Sequence, residues 1–111
     1  KSVNGSRVLV LGVAYKRNID DQRESPALEV IHLLRQRGAK VSYNDPYVPA
    51  AAGLKSVKLT PALLRAQDCV VIATDHTDYD FAQVVALARL VVDTRNATKN
   101  VKRGRAKIVL L

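Results

Sequence analysis

What the chain has little of narrows the reading first. It carries one cysteine in 111 residues, so no internal disulfide can form, and that usage fits a reducing, cytoplasmic setting. It has no apolar run near the ~18 residues that a membrane span needs. The longest runs, "VLVLGVAY" and "CVVIA", are strand-sized, so no membrane partner is expected. Aromatic residues make up 5%, one Phe and four Tyr, which leaves little of the stacking platform that single-strand nucleic-acid binders use. Acidic residues are outnumbered, 10 against 18 basic, for a net charge of +8. That balance favours an anionic partner: nucleic acid, a phosphorylated metabolite or an acidic protein surface. The one denser basic patch is "TKNVKRGRAK" near the end. The polar start "KSVNGS" has no signal-peptide pattern and no Met, so the chain is expected to be a piece of something longer.

What is there is strand–helix alternation. Residues 7–13, "RVLVLGV", read as a buried parallel strand. Ser25 and Pro26 mark a helix start, a capping hydroxyl followed by a proline where a missing N–H costs nothing. Ala27, Val30, Ile31 and Leu34 then fall on one helical face, and Gly38 supplies the stop. "AKVSYND" reads as a second strand, "YVPAAAGLKSV" as irregular and exposed, and Thr60-Pro61 as the start of a short helix. "DCVVIAT" and "LVVDT" read as further strands on either side of a loop and helix capped by Asp78 or Asp80, and "AKIVLL" as a last strand or packed tail. The pattern predicts a single α/β domain, a three-layer sandwich whose parallel sheet is covered on both faces. Functional loops then gather at the carboxyl ends of the strands.

The loop after the first strand, "GVAYKRNIDDQRESP", holds a single glycine. The dinucleotide fingerprint G-x-G-x-x-G, whose glycines let backbone N–H groups touch a pyrophosphate, is absent. Side chains occupy that space instead. Lys16 and Arg23 could offer charge-assisted hydrogen bonds to a phosphate; equally, with Asp20 and Asp21 they could form a solvated, mutually paired cluster. Asp45, Asp75, His76, Asp93 and Arg95 end other strands on the same edge. "DHTDYD" gathers His76 and three carboxylates. A metal could use them, but a polar loop that caps the next helix is the simpler reading, and no metal is expected. Cys69, inside "CVVIA", reads as a small buried hydrophobe and not as a nucleophile. His32 reads as a surface or boundary residue. No nucleophile–base pair stands out, so no catalytic residue is assigned.

Residues "LVLGVAYKRNIDDQRESPALEVIHLLRQRGAKVSYNDPYVP", with "VVIATDH" and "VVDTRN" later in order, resemble the carboxyl-terminal domain of the UDP-glucose/GDP-mannose dehydrogenase family. The likeness is strongest to the branch acting on UDP-N-acetylglucosamine and UDP-N-acetylmannosamine. The carrying residues are Gly12, Ala14, Tyr15-Lys16, Asp21, Arg23, Ser25-Pro26, Gly38 and Asp45-Pro46. The resemblance implies a Rossmann-like domain forming half of a cleft for a UDP-sugar. The parent would oxidise the sugar C6 alcohol to a carboxylate with two NAD⁺, for polysaccharide precursors. Its amino-terminal domain would bind NAD, its central segment would make a homo-oligomer, and its catalytic Cys lies upstream, so the isolated chain is expected to be inactive. Tyr15 and Lys16 match an aromatic–Lys pair that contacts the UDP-sugar. The aromatic is Phe in many members. Arg95 matches a substrate-contacting Arg, and Arg23 an Arg that reaches the NAD held by the other domain. Asp21 and Ser25 match as scaffolding. The rival expectations are a basic nucleic-acid-binding module and a stand-alone flavodoxin-like interaction domain centred on Asp20, Asp21 and Asp75.

Overall fold

A computed structural model describes residues 3–14, 18 and 25–111. Five strands, β1 (Arg7–Leu11), β2 (Lys40–Asn44), β5 (Cys69–Ile72), β6 (Val91–Asp93) and β7 (Ile108–Leu110), form one sheet in the order β2-β1-β5-β6-β7. Every pairing in it is parallel. The helices are α1 (Pro26–Gln36), α2 (Pro61–Ala66) and α3 (Phe81–Leu87).

Local chemistry sets the helix ends where the sequence places them. Ser25 Oγ accepts from Ala27 N–H at 3.3 Å, Thr60 Oγ1 from Leu63 N–H at 3.1 Å, and Asp80 Oδ1 from Gln83 N–H at 3.2 Å. Pro26 and Pro61 each follow such a cap. Asp80 is therefore the cap of α3, and Asp78 instead accepts from the Tyr47 hydroxyl at 2.8 Å. At the end of α1, Gly38 takes the left-handed conformation, φ 88°. Lys107 Nζ donates to the Ala86 and Ala88 carbonyls where α3 ends, a cation placed at the negative end of the helix.

The period of two along the strands divides the core. Leu9, Leu11, Val70, Ile72 and Val91 face α2 and α3, packing on Leu64, Val84 and Val85. Val8, Val10 and Val71 face the other way, toward Ala27 and Ile31 of α1. These are the three layers that the sequence predicts. The second face is less covered than expected, because α1 is its only helix among the described residues. Beside α1 an apolar groove of about 380 Å³ runs over Val8, Cys69, Val71 and Val92. Val109, in register with Val92 and so on the same face, is 44% exposed.

Two further departures are local. The first strand stops at Leu11, and residues 12–14 run on as loop. The segment expected to be irregular and exposed contains a small antiparallel hairpin, β3 (Ala50–Ala51) with β4 (Leu54–Lys55). It is tied to the sheet by Val57 N–H on the Tyr43 carbonyl at 2.8 Å, and Val48 beneath it is buried.

Candidate functional site

In an open parallel sheet the ligand crevice lies where the strand order reverses. Here that point is between β1 and β5, and the residues leaving those two strands build it. Gly12 has φ 85°, and a Cβ there would sit 2.8 Å from the Thr74 carbonyl oxygen. The glycine is required twice, by its backbone conformation and by the close approach of the β5 loop. Gly12 N–H donates to the Asn44 carbonyl at 2.8 Å. Thr74 Oγ1 donates to the Ala14 carbonyl at 2.5 Å.

The next two N–H groups meet Asp45. Its Oδ2 accepts from Val13 N–H at 2.8 Å and from Ala14 N–H at 3.0 Å. Its Oδ1 accepts from Tyr47 N–H at 2.8 Å. In a dinucleotide-binding loop, backbone donors at this point hold a pyrophosphate. In this chain an internal carboxylate, only 2% exposed, has taken them. The described residues at the switch point therefore do not fit NAD.

His76 completes the cluster. Its ring is fully buried, with Nε2 2.9 Å from Asp45 Oδ2 and Nδ1 2.7 Å from the Asn18 backbone nitrogen. Tyr47 and Tyr79 place their rings 4.7 and 5.9 Å from it. Burial, then the Asp45 charge, pushes the Tyr79 phenol far up, so its hydroxyl stays a donor, to the Asn44 carbonyl at 2.8 Å. The sequence reads "DHTDYD" as a polar loop that caps the next helix, and His76 does lie in that loop; what the reading does not give is that its ring is core, with both nitrogens engaged. Among the described residues no three His, Cys, Asp or Glu side chains come together as a metal site.

A second carboxylate ends β6. Asp93 Oδ1 accepts from Arg95 and Ala97 N–H at 3.0 and 3.1 Å, and Oδ2 from the Thr98 N–H and hydroxyl at 2.8 and 2.6 Å. Burial pushes this carboxyl up. The bonds from Thr98, Arg95 and Ala97 outweigh it and hold the group below the usual carboxylate range. The turn they fix carries Arg95, whose Nε donates to the Ala73 carbonyl at 3.0 Å. Arg95 is exposed and borders two clefts on the carboxyl edge. One, of about 370 Å³, is lined by Asp75, Thr77, Phe81 and Lys99; the other, of about 280 Å³, by Pro26, Val30, Ala73 and Thr94.

The remaining sequence candidates divide plainly. Tyr15, Lys16, Asp20, Asp21 and Arg23 lie outside the described residues. Cys69 is half-buried, not fully buried, and lines the apolar groove at the amino end of β5, the edge opposite the clefts. Burial, then the neighbouring Asp68 charge, pushes its thiol up, away from nucleophilic character. His32 is exposed on α1. In the basic tail, Arg105 donates to the Thr98 and Val101 carbonyls at 2.8 Å and Lys107 to the end of α3. Two of the charges that suggested nucleic acid are thus bonded to the protein itself. Sequence reasoning missed the Asp45–His76 pair, because its partners stand 31 residues apart and no spacing rule links them.

The topology and the position of the clefts define a Rossmann-like α/β domain. Residues 9–100 match the UDP binding domain of the UDP-glucose/GDP-mannose dehydrogenase family, and the chain belongs to that family. It is 33% identical to the UDP-N-acetyl-D-mannosamine dehydrogenase of Pyrococcus horikoshii over 98 residues, 83% of this chain and 22% of that protein. It is likewise 33% identical to the UDP-glucose 6-dehydrogenase of Rhizobium meliloti over 104 residues, 85% of this chain and 24% of that one. The solved UDP-glucose dehydrogenase of Pyrobaculum islandicum superposes with a TM-score of 0.72 at 34% identity, over 98% of this chain and 25% of that structure. The chain thus spans about a quarter of the length of these relatives.

Proposed function

We propose that the chain is the sugar-nucleotide-binding portion of an NAD-dependent UDP-sugar 6-dehydrogenase, which oxidises the sugar C6 alcohol to a carboxylate for polysaccharide precursors in the cytoplasm. The observation that carries this reading is the Asp93 turn, which presents Arg95 at the mouth of two clefts on the carboxyl edge, in a chain of this family. Arg95 supplies a guanidinium to the UDP diphosphate, a geometry suited to paired N–H donors. Tyr15 and Lys16 are assigned to the same ligand, and Arg23 to the NAD of the facing domain, on the family motif alone. Because Asp45 occupies the switch-point donors, NAD is held elsewhere in the parent. Cys69 is at the wrong edge to act as a nucleophile, so the isolated chain has no activity. The partly open sheet face supports packing against the parent's other domains, since parallel sheets are normally covered on both sides. The parent is a homo-oligomer on the same family grounds.

The test is titration of the chain with UDP, UDP-N-acetylglucosamine, NAD⁺ and a DNA oligomer, read by calorimetry and thermal shift. UDP and its sugar are expected to bind weakly, near millimolar or about −4 kcal/mol, with binding lost in Arg95→Ala and Lys16→Ala and both variants still folded. Stabilisation by DNA but not by UDP would overturn the reading.

A further inference from the structure

The geometry points to His76 and Asp45 as a positioning pair for the segment that leaves β1. We infer that His76, carrying its proton on Nε2, fixes the Asn18 backbone while Asp45 fixes Val13 and Ala14, so that the two together hold residues 13, 14 and 18 in place at the carboxyl edge.

The hydrogen-bond directions are forced. An amide N–H only donates, so the Asn18 N–H at 2.7 Å makes His76 Nδ1 an acceptor. The ring proton is then on Nε2, where it donates to Asp45 Oδ2 at 2.9 Å. That oxygen already accepts from Val13 and Ala14, so one carboxylate oxygen and one ring join residues 13, 14 and 18. The far side of Asn18 is held as well. Its Oδ1 accepts from the Thr77 N–H at 3.0 Å, and the Thr77 hydroxyl lies 3.2 Å from the same oxygen. Asn18 takes the left-handed conformation, φ 61°, which Asn tolerates better than most residues. Contacts from His76 and Thr77 in the β5–α3 loop hold it there. None of this is needed to close the sheet: β1 pairs with β2 and β5 through backbone ladders of its own. The pair commits buried polar groups to a loop, which makes sense where the loop's position has a function.

That function is ligand placement, and this part of the inference rests on the reading of the domain as a sugar-nucleotide binder. His76 is fully buried and acts through Asn18.

Two variants separate the two bonds. In His76→Gln the amide nitrogen can reach the Nε2 position and keep the donor to Asp45, but the Asn18 N–H loses its acceptor. In His76→Asn the side-chain oxygen can take the Nδ1 position and keep Asn18, while the donor to Asp45 is lost. His76→Gln is expected to melt within a few degrees of the unmodified chain, to exchange the Asn18 amide hydrogen at least tenfold faster, and to bind UDP about five- to tenfold more weakly. His76→Asn is expected to retain Asn18 protection and most of the UDP affinity but to lose more thermal stability. On the unmodified chain, nitrogen-15 NMR of the imidazole is expected to show Nε2 protonated and a coupling across the hydrogen bond from Asn18 to Nδ1. A ring protonated on Nδ1, or His76→Gln with unchanged Asn18 exchange, overturns the positioning pair. Unchanged UDP affinity in a folded His76→Gln whose Asn18 amide has been released overturns its role in ligand placement. If both variants fail to fold, the spectrum of the unmodified chain decides. Failure of the unmodified chain to bind UDP sinks the proposed function alone, because tautomer and exchange still judge the pair.

Discussion

Asp45 and Asp93 make an instructive pair. Both stand at the carboxyl end of parallel strands, β2 and β6, and both are almost fully buried, 2% and 0% exposed. Each is surrounded by donors. The donors of Asp93 come from within five residues of it, so it builds its own turn and asks nothing of the rest of the fold. The donors of Asp45 come from its own turn but also from residues 31 and 32 positions away in two other loops. One carboxylate presents a side chain, Arg95; the other ties together the loops that surround a crevice. The same residue type, at equivalent positions in the sheet, thus does local work in one place and long-range work in the other.

The sharpest way to break the comparison is to remove each carboxylate. Asp45→Ala leaves Val13, Ala14, Tyr47 and His76 without their acceptor in a buried site, and about 3–5 kcal/mol of stability is expected to go, read by urea unfolding. Asp93→Ala frees only a local turn, and about 2–3 kcal/mol is expected. The two losses are expected to add within ~0.5 kcal/mol in the double variant, because β1 and β5 separate the sites by roughly 14 Å at strand spacing. A large coupling would mean that the two turns are one unit.

Asp93 also carries a pH signature. Its folded-state pKa is lowered, so its contribution is fully present above the unfolded carboxylate range, about pH 4, and is lost as pH falls through the lower folded value. Chemical denaturation from pH 6 down to 2 is expected to show this acid-side loss in the unmodified chain and a flatter limb in Asp93→Asn. An equal slope in both would remove Asp93 as the cause. The smallest effect is expected at the rim of the Asp45 cluster. Tyr47→Phe deletes the exposed hydroxyl bond to Asp78 but keeps the ring against His76, and less than ~0.5 kcal/mol should be lost.

This contrast also explains what could be read in advance. Ser25-Pro26, Thr60-Pro61, Gly38 and the apolar periods were legible because each signal acts within a turn or two of itself, and the parallel sheet followed from their alternation. The Asp93 turn is equally local, and the strand before it was enough to place Asp93 and Arg95 on the carboxyl edge. The hairpin at residues 50–55 was not, because its strands are two residues each and hold through contacts to β2. The burial of His76 was not legible because "DHTDYD" is polar along the sequence, while the partners that bury its ring, Asp45, Tyr47 and Tyr79, are in part supplied by a distant strand end. The open stretch of the α1 face was unforeseen for the same reason: alternation implies that helices cover a sheet, not how much of each face they cover.

The strand order has a consequence for how the chain is made. β1 emerges before either of its neighbours, and one of its edges can be filled by β2, whose pairing begins 33 residues later. The other edge waits for β5, 61 residues downstream. At synthesis rates of 5–20 residues per second, that interval lasts roughly 3–12 s. Throughout it, the nascent polypeptide on the ribosome carries a bare Val- and Leu-rich strand edge. Chaperone capture and mispairing between neighbouring polysome products act in that window, before any of the residues that would meet a ligand have been brought together.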